Sequence, residues 1–162
     1  MWAAMALAAS SGQEQAALER AGSAVLGGWA VTQLASGSVG YATADPPRAR
    51  AFWGTNAAWN TVNLGLAGVG LATAHQAASL RGTELAARQR RRETALWVNA
   101  GLDVLYIASG VALGRVGAAR DDPSLLGVGD SLVVQGGFLL AFDVGFATVH
   151  RARRRGAPRP RR

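Results

Sequence analysis

Four stretches of this chain, at about 22–44, 52–75, 94–114 and 131–150, carry apolar and small residues with almost no charge. The first two contain none, and the last two contain one Asp each, Asp103 and Asp143. Each has roughly the ~20 residues that carry a helix across a ~30 Å hydrocarbon layer. The polar residues inside them recur with helical spacing. Asn56, Asn60 and Asn63 stand at i, i+4 and i+7, and Asn99, Asp103 and Tyr106 repeat that spacing in the next stretch. Gln33 lies in the first stretch, and Gln135 and Asp143 lie in the last. Residues spaced this way share one helix face. A soluble bundle would set charged residues over the opposite faces. Here those faces are Ala, Val, Leu and Gly. The pattern predicts an all-α protein, a four-helix transmembrane bundle whose polar stripe turns inward, because lipid tails offer amides and carboxylates no partner.

The segments between these stretches differ in kind. Residues 1–20 begin with a short apolar run, followed by Ser11 and Glu14 in capping-box spacing. They read as an amphipathic segment or a signal remnant ahead of a four-helix domain at 21–150. Asp45-Pro46-Pro47 ends the first stretch, and residues 45–51 read as a tight turn. Residues 76–93 are polar and helical in pattern, with Glu84 four residues before Arg88. Asp121-Asp122-Pro123 breaks the chain before Gly127 and Gly129, and Asp130 is placed to cap the fourth stretch. Residues 151–162, with Pro158 and Pro160, read as a disordered Arg-rich tail.

Charge sets orientation. All 17 basic residues are Arg, and the net charge is +7. Thirteen Arg fall in the N-terminal region, the second link and the tail, against four in the first and third links. The positive-inside rule then places both termini in the cytoplasm of an inner-membrane protein. Arginines flanking apolar helices mark topology and attract anionic lipid head groups, so nucleic acid is not an expected partner. Trp53, Trp97 and Tyr41 sit near segment ends as interfacial aromatics do, whereas Trp29 and Trp59 lie deeper. Gly110 and Gly114 form a GxxxG pair suited to close packing within the chain, with a homo-oligomer as the sharper alternative.

Candidate chemistry lies along the stripe. With no Cys, thiol catalysis and Cys-ligated metals are excluded. Asp103 falls ~13 Å and Asp143 ~10 Å from the cytoplasmic ends of their helices at 1.5 Å per residue. No Arg or His lies at that depth to pair with them. They are either neutralised scaffolding or a working proton or cation site. No nucleophile, metal set or cofactor motif accompanies the carboxylates, which disfavours an enzyme and implies no cofactor. His75 and His150 are read as helix C-terminal residues favoured by the dipole. The candidate ligand or ion residues are Asp103, Asp143, Asn99, Asn60, Asn63, Gln135, Tyr106 and Gln33. The alternative is a structural or assembly protein whose polar layer only fixes helix register and oligomer state.

One set of residues carries a resemblance. It comprises Gly27-Gly28-Trp29-Ala30, Trp59-Asn60 with Asn63, Asn99 with Gly101, Leu102, Asp103 and Tyr106, and Gly129-Asp130 with Gln135-Gly136-Gly137-Phe138 and Asp143. It resembles a family of small, uncharacterised four-span bacterial membrane proteins, a domain of unknown function common in Bacteroidetes-like bacteria. The resemblance spans about residues 20–150. It implies a membrane bundle and supplies no activity.

Overall fold

The computed structural model describes residues 2–156, with side chains over 12–155. Among these residues the fold is all-α, with four long helices, α1 (Trp2–Thr43), α2 (Pro47–Ala74), α3 (Gly82–Ala119) and α4 (Pro123–Gly156). A short 3-10 turn, His75–Ser79, follows α2. Every helix outruns the apolar stretch it contains. The charged flanks are rich in Ala, Leu, Arg, Glu and Gln, which favour helix as strongly as the apolar residues do. Three sequence expectations are corrected by this. Ser11 lies inside α1, so it opens no helix of its own. Residues 45–51, expected as a tight turn, are already helical from Pro47 onward. Residues 151–156 of the expected disordered tail continue α4, and 157–162 lie outside the described residues.

The turns have local causes. Pro46 holds the extended conformation before α2, and Pro47 occupies its first turn, where a missing N–H costs nothing. Gly82 begins α3 with a φ of +49°, which a side chain would strain. Asp121 adopts a φ of +52°, a region that Asp tolerates better than most residues. Asp122 then caps α4, its Oδ1 accepting from the N–H groups of Ser124 at 2.9 Å and Leu125 at 3.1 Å. Asp130, expected as the cap, lies two turns inside α4 and pairs instead with Arg48 at 2.6 Å on an exposed surface. Such a pair contributes little. Gly127 and Gly129, read as part of the link before the fourth stretch, lie within α4 and let it pack closely on α2 and α3.

Backbones approach most closely between α1 and α2, between α3 and α4, and between the parallel helices α2 and α4. Glycine makes these approaches possible. A Cβ at Gly110 would sit 2.6 Å from the Gly129 carbonyl, and one at Gly129 2.5 Å from that of Gly110. Gly114 also lies against Gly129, so the GxxxG pair closes on α4 of the same chain. A Cβ at Gly127 would strike the Arg48 carbonyl, fixing α4 against the start of α2. α1 meets α4 through side chains, with Trp29 stacked on Phe138 at 3.8 Å and Phe146 facing Gly22.

The interior and exterior are inverted relative to a soluble bundle. The largest fully buried side chains are Gln15, Gln135, Asn56, Asn60 and Ser131. Val62, Leu66, Val69, Val104 and Leu105 are each about 50–65% exposed. By length and composition, α3 and α4 are apolar enough to cross a membrane. α1 and α2 fall short of that measure, against the expectation of four such segments. Asn56, Asn60 and Asn63 dilute α2, and Gln, Ser, Thr and Gly dilute α1.

Candidate functional site

The inward polar residues form three tiers along the bundle axis. The first lies toward the N-terminal ends of α2 and α4 and is a closed chain of amides. Asn56 Nδ2 donates to Gln33 Oε1 at 2.5 Å, Gln135 Nε2 donates to Asn56 Oδ1, and Trp29 Nε1 donates to Gln135 Oε1 at 3.2 Å. These bonds join α1, α2 and α4. Asn60 Nδ2 donates to the Asn56 carbonyl at 2.8 Å, and Asn63 Nδ2 to Asn60 Oδ1 at 3.2 Å. A buried hydrogen-bonded network that joins three helices in this way specifies packing.

The second tier lines a cavity of about 390 Å³ reached by all four helices. Asp103 and Asp143, 2% and 4% exposed, stand on its wall as neighbouring carboxyls. Asp103 Oδ2 is buried without a hydrogen-bond partner. The tight α3–α4 crossing brings the two together, since Gly136 lets α4 settle against the Asp103 carbonyl. Asn63, Asn99 and Tyr106 share the lining. Trp59 and Tyr106 meet edge to face at 4.8 Å, bridging α2 and α3 at the inner limit of the cavity.

The third tier lies at the arginine-rich end and holds a buried ion pair over the cavity. Arg88 grips Glu19 with two bonds, Nε to Oε1 at 2.9 Å and Nη2 to Oε2 at 2.6 Å. Arg92 adds a contact at 3.3 Å, and Gln15 Nε2 donates to Glu19 Oε1 at 2.9 Å. Arg88 Nη2 also donates to the Thr73 carbonyl at 3.0 Å, tying α3 to the end of α2. His150 is buried beside this cluster, its Nδ1 3.5 Å from Gln15 Nε2. It sits within α4, away from the helix C-terminus where the sequence had placed it. His75 does occupy the C-cap of α2. Burial tends to raise the Glu19 carboxyl. The hydrogen bonds from Arg88 and Gln15 and the charges of Arg92 and Arg88 outweigh it and hold the group below the ordinary glutamate value.

The eight candidate residues therefore divide. Asp103, Asp143, Asn63, Asn99 and Tyr106 line the cavity. Asn60 is buried beneath it, and Gln33 and Gln135 belong to the amide chain. Asn99 is exposed, although it borders the cavity. Sequence reasoning missed the hub role of Asn56 and the whole Glu19 cluster. Arg88 turns to Glu19 on α1, rather than to Glu84 on its own helix. Its signal was Arg88 and Arg92 at i, i+4 facing a lone Glu at the threshold of an uncharged stretch. Among the described residues, no group of three His, Asp or Glu is arranged to hold a metal.

Comparison with curated proteins and with solved structures finds no match. A family model, described as a family of unknown function, matches residues 25–144, which includes both carboxylates, the amide chain, Arg88 and Arg92. With most of its length matched, the chain belongs to the DUF6992 family of unknown function.

Proposed function

We propose that this chain is a four-span protein of the bacterial inner membrane, with both termini cytoplasmic, whose cavity binds a proton or small cationic ligand through Asp103 and Asp143. The inverted surface supports the membrane setting. Buried amides and carboxylates with exposed Val and Leu suit a lipid surround, where inward polar groups satisfy one another. The same pattern in water would leave large apolar faces uncovered. α1 and α2 span in this reading because neither carries a charge within its central stretch, and their Asn and Gln residues turn inward. The Arg-rich end then faces the cytoplasm and its anionic lipid head groups.

The observation that carries the functional reading is the carboxyl pair on the cavity wall, with one buried oxygen unpartnered. Two carboxyls can hydrogen-bond only with a proton on one of them, and a cation seated between them would satisfy both. No basic residue lies at their level. His150 is seven residues from Asp143, or ~10 Å along α4, and Arg92 is eleven from Asp103, or ~16 Å along α3. The amide chain and the glycine crossings close the far end, favouring binding from one side over a continuous pore.

The alternative of a structural protein fits the amide chain, whose hydrogen bonds join α1, α2 and α4. It leaves the cavity and the free Asp103 oxygen without a use. Asp103→Asn combined with Asp143→Asn separates the two readings. In nanodiscs and dye-loaded liposomes, the parent should show saturable sodium binding or proton movement. The double variant should lose about tenfold or more of it. Activity unchanged in the double variant would make the carboxyls scaffolding.

A further inference from the structure

The cavity is open along its side. Val62, Leu66 and Val69 on α2 and Leu102 on α3 line it, yet they are 62%, 59%, 65% and 42% exposed. The lining residues of α4, such as Leu139 and Asp143, are buried. α2 and α3 are consecutive in the chain, yet their backbones scarcely approach each other. The gap between them has two limits. Trp59 and Tyr106 bridge it at the inner end, and the hydrogen bond from Arg88 to the Thr73 carbonyl bridges it at the arginine-rich end. Between Trp59 and Thr73 runs an opening ~21 Å long, fourteen residues at 1.5 Å each. Its exposed rim is Val and Leu with Asn99 on α3, and carries no charged side chain. The end facing the aqueous side is covered by the Glu19–Arg88 cluster.

We infer that the cavity takes a lipophilic organic cation, which passes between α2 and α3 directly from the bilayer and seats its charge against Asp103 and Asp143. The inference rests on the membrane reading above and names the ligand class of that same site. A hydrated inorganic ion is disfavoured at this apolar rim and would have to enter past the Glu19–Arg88 cluster at the aqueous end. A lipophilic cation already partitions into the hydrocarbon layer and meets the opening there. Inside, aromatic faces accompany the carboxyls, with Trp59, Tyr106, Phe142 and Phe146 all on the lining. Aromatic faces attract diffuse organic cations and contribute little to a strongly hydrated one. The volume of about 390 Å³ falls within the range of sites for drug-sized molecules.

The probe is tetraphenylphosphonium, with the full chain in nanodiscs and empty nanodiscs as the blank. The parent should bind saturably at about one per chain. Asp103→Asn with Asp143→Asn should weaken binding about tenfold or more. Leu66→Trp narrows the rim from an exposed position that tolerates bulk. It should slow tetraphenylphosphonium association several-fold. Thermal unfolding of each variant checks that it is folded. Binding no greater than the blank, or equal in the carboxyl variants, overturns the inference. If sodium binding or proton movement still depends on the carboxyls in that case, only the ligand class and its lateral route fail. If that dependence is also absent, the proposed function fails with them.

Discussion

Replacing Asn56 with leucine should destabilise the bundle by about 2–4 kcal/mol, although leucine has the same branched arrangement of heavy atoms. Asn56 is fully buried and serves as both donor and acceptor in the amide chain. Leucine would strand Gln135 Nε2, on a side chain 1% exposed, and the Oε1 of half-buried Gln33. A buried polar atom left without a partner costs about 1–3 kcal/mol, more than the hydrogen bond itself contributes. Hydrogen bonds between membrane helices often measure less, about 0.6 kcal/mol on average, because alternative partners exist. The rest of this chain is already bonded, so few alternatives remain. Adding Gln135→Leu removes the stranded Nε2 but strands the Trp29 Nε1–H in its place, so the double variant should regain little of the loss. Thermal or denaturant unfolding of both variants in one detergent checks this. A single variant as stable as the parent would show that the amides contribute no net stability.

The second large effect belongs to the ion pair. Arg88→Ala should cost about 2–3 kcal/mol, because it leaves Glu19 buried with only Arg92 and Gln15 beside it. The side chains of Glu19 and Arg88 are 3% and 18% exposed, so water screens the pair weakly. The carboxyl of Glu19 is held below the ordinary glutamate value of 4.5. Its contribution is therefore fully present above about pH 4.5 and is lost as pH falls through its own lower value. The groups facing it are Arg88 and Arg92 from α3, Gln15 from α1 and His150 from α4. Stability measured downward from pH 6 should fall more steeply in the parent than in Arg88→Ala. Parallel pH profiles would contradict the assigned role of Glu19.

Some of this arrangement is legible in residue order, and some depends on which helices become neighbours. The Asn56, Asn60 and Asn63 stripe is buried along its length, as its spacing requires. Asp103 and Asp143 lie at similar depths from the ends of adjacent helices, so their meeting follows from an antiparallel α3–α4 pair. No periodicity distinguishes Gln33 and Gln135, which close on Asn56, from Asn63, which faces a cavity. That difference arises because α2 and α4 press together at Gly127 and leave room toward their other ends. Glu19 was hidden because residues 1–20 read as a separate segment, whereas helix-forming residues carry α1 unbroken through them. The start of α4, expected near Ser131, was misplaced in the same way. Glycine signals a turn or a close contact equally well in sequence, and here Asp122-Pro123 had already supplied the start of the helix.

The central claim is that the exposed Val and Leu faces meet lipid while the carboxyl pair faces the cavity between the helices. Nitroxide labels at Val69 and Val104 in proteoliposomes test it most directly. Both positions are more than half exposed, on α2 and α3 respectively. The account predicts relaxation by dissolved oxygen and none by a water-soluble nickel chelate at both sites. Relaxation by the chelate at either position would place that face in water and contradict the membrane bundle on which the proposed site depends.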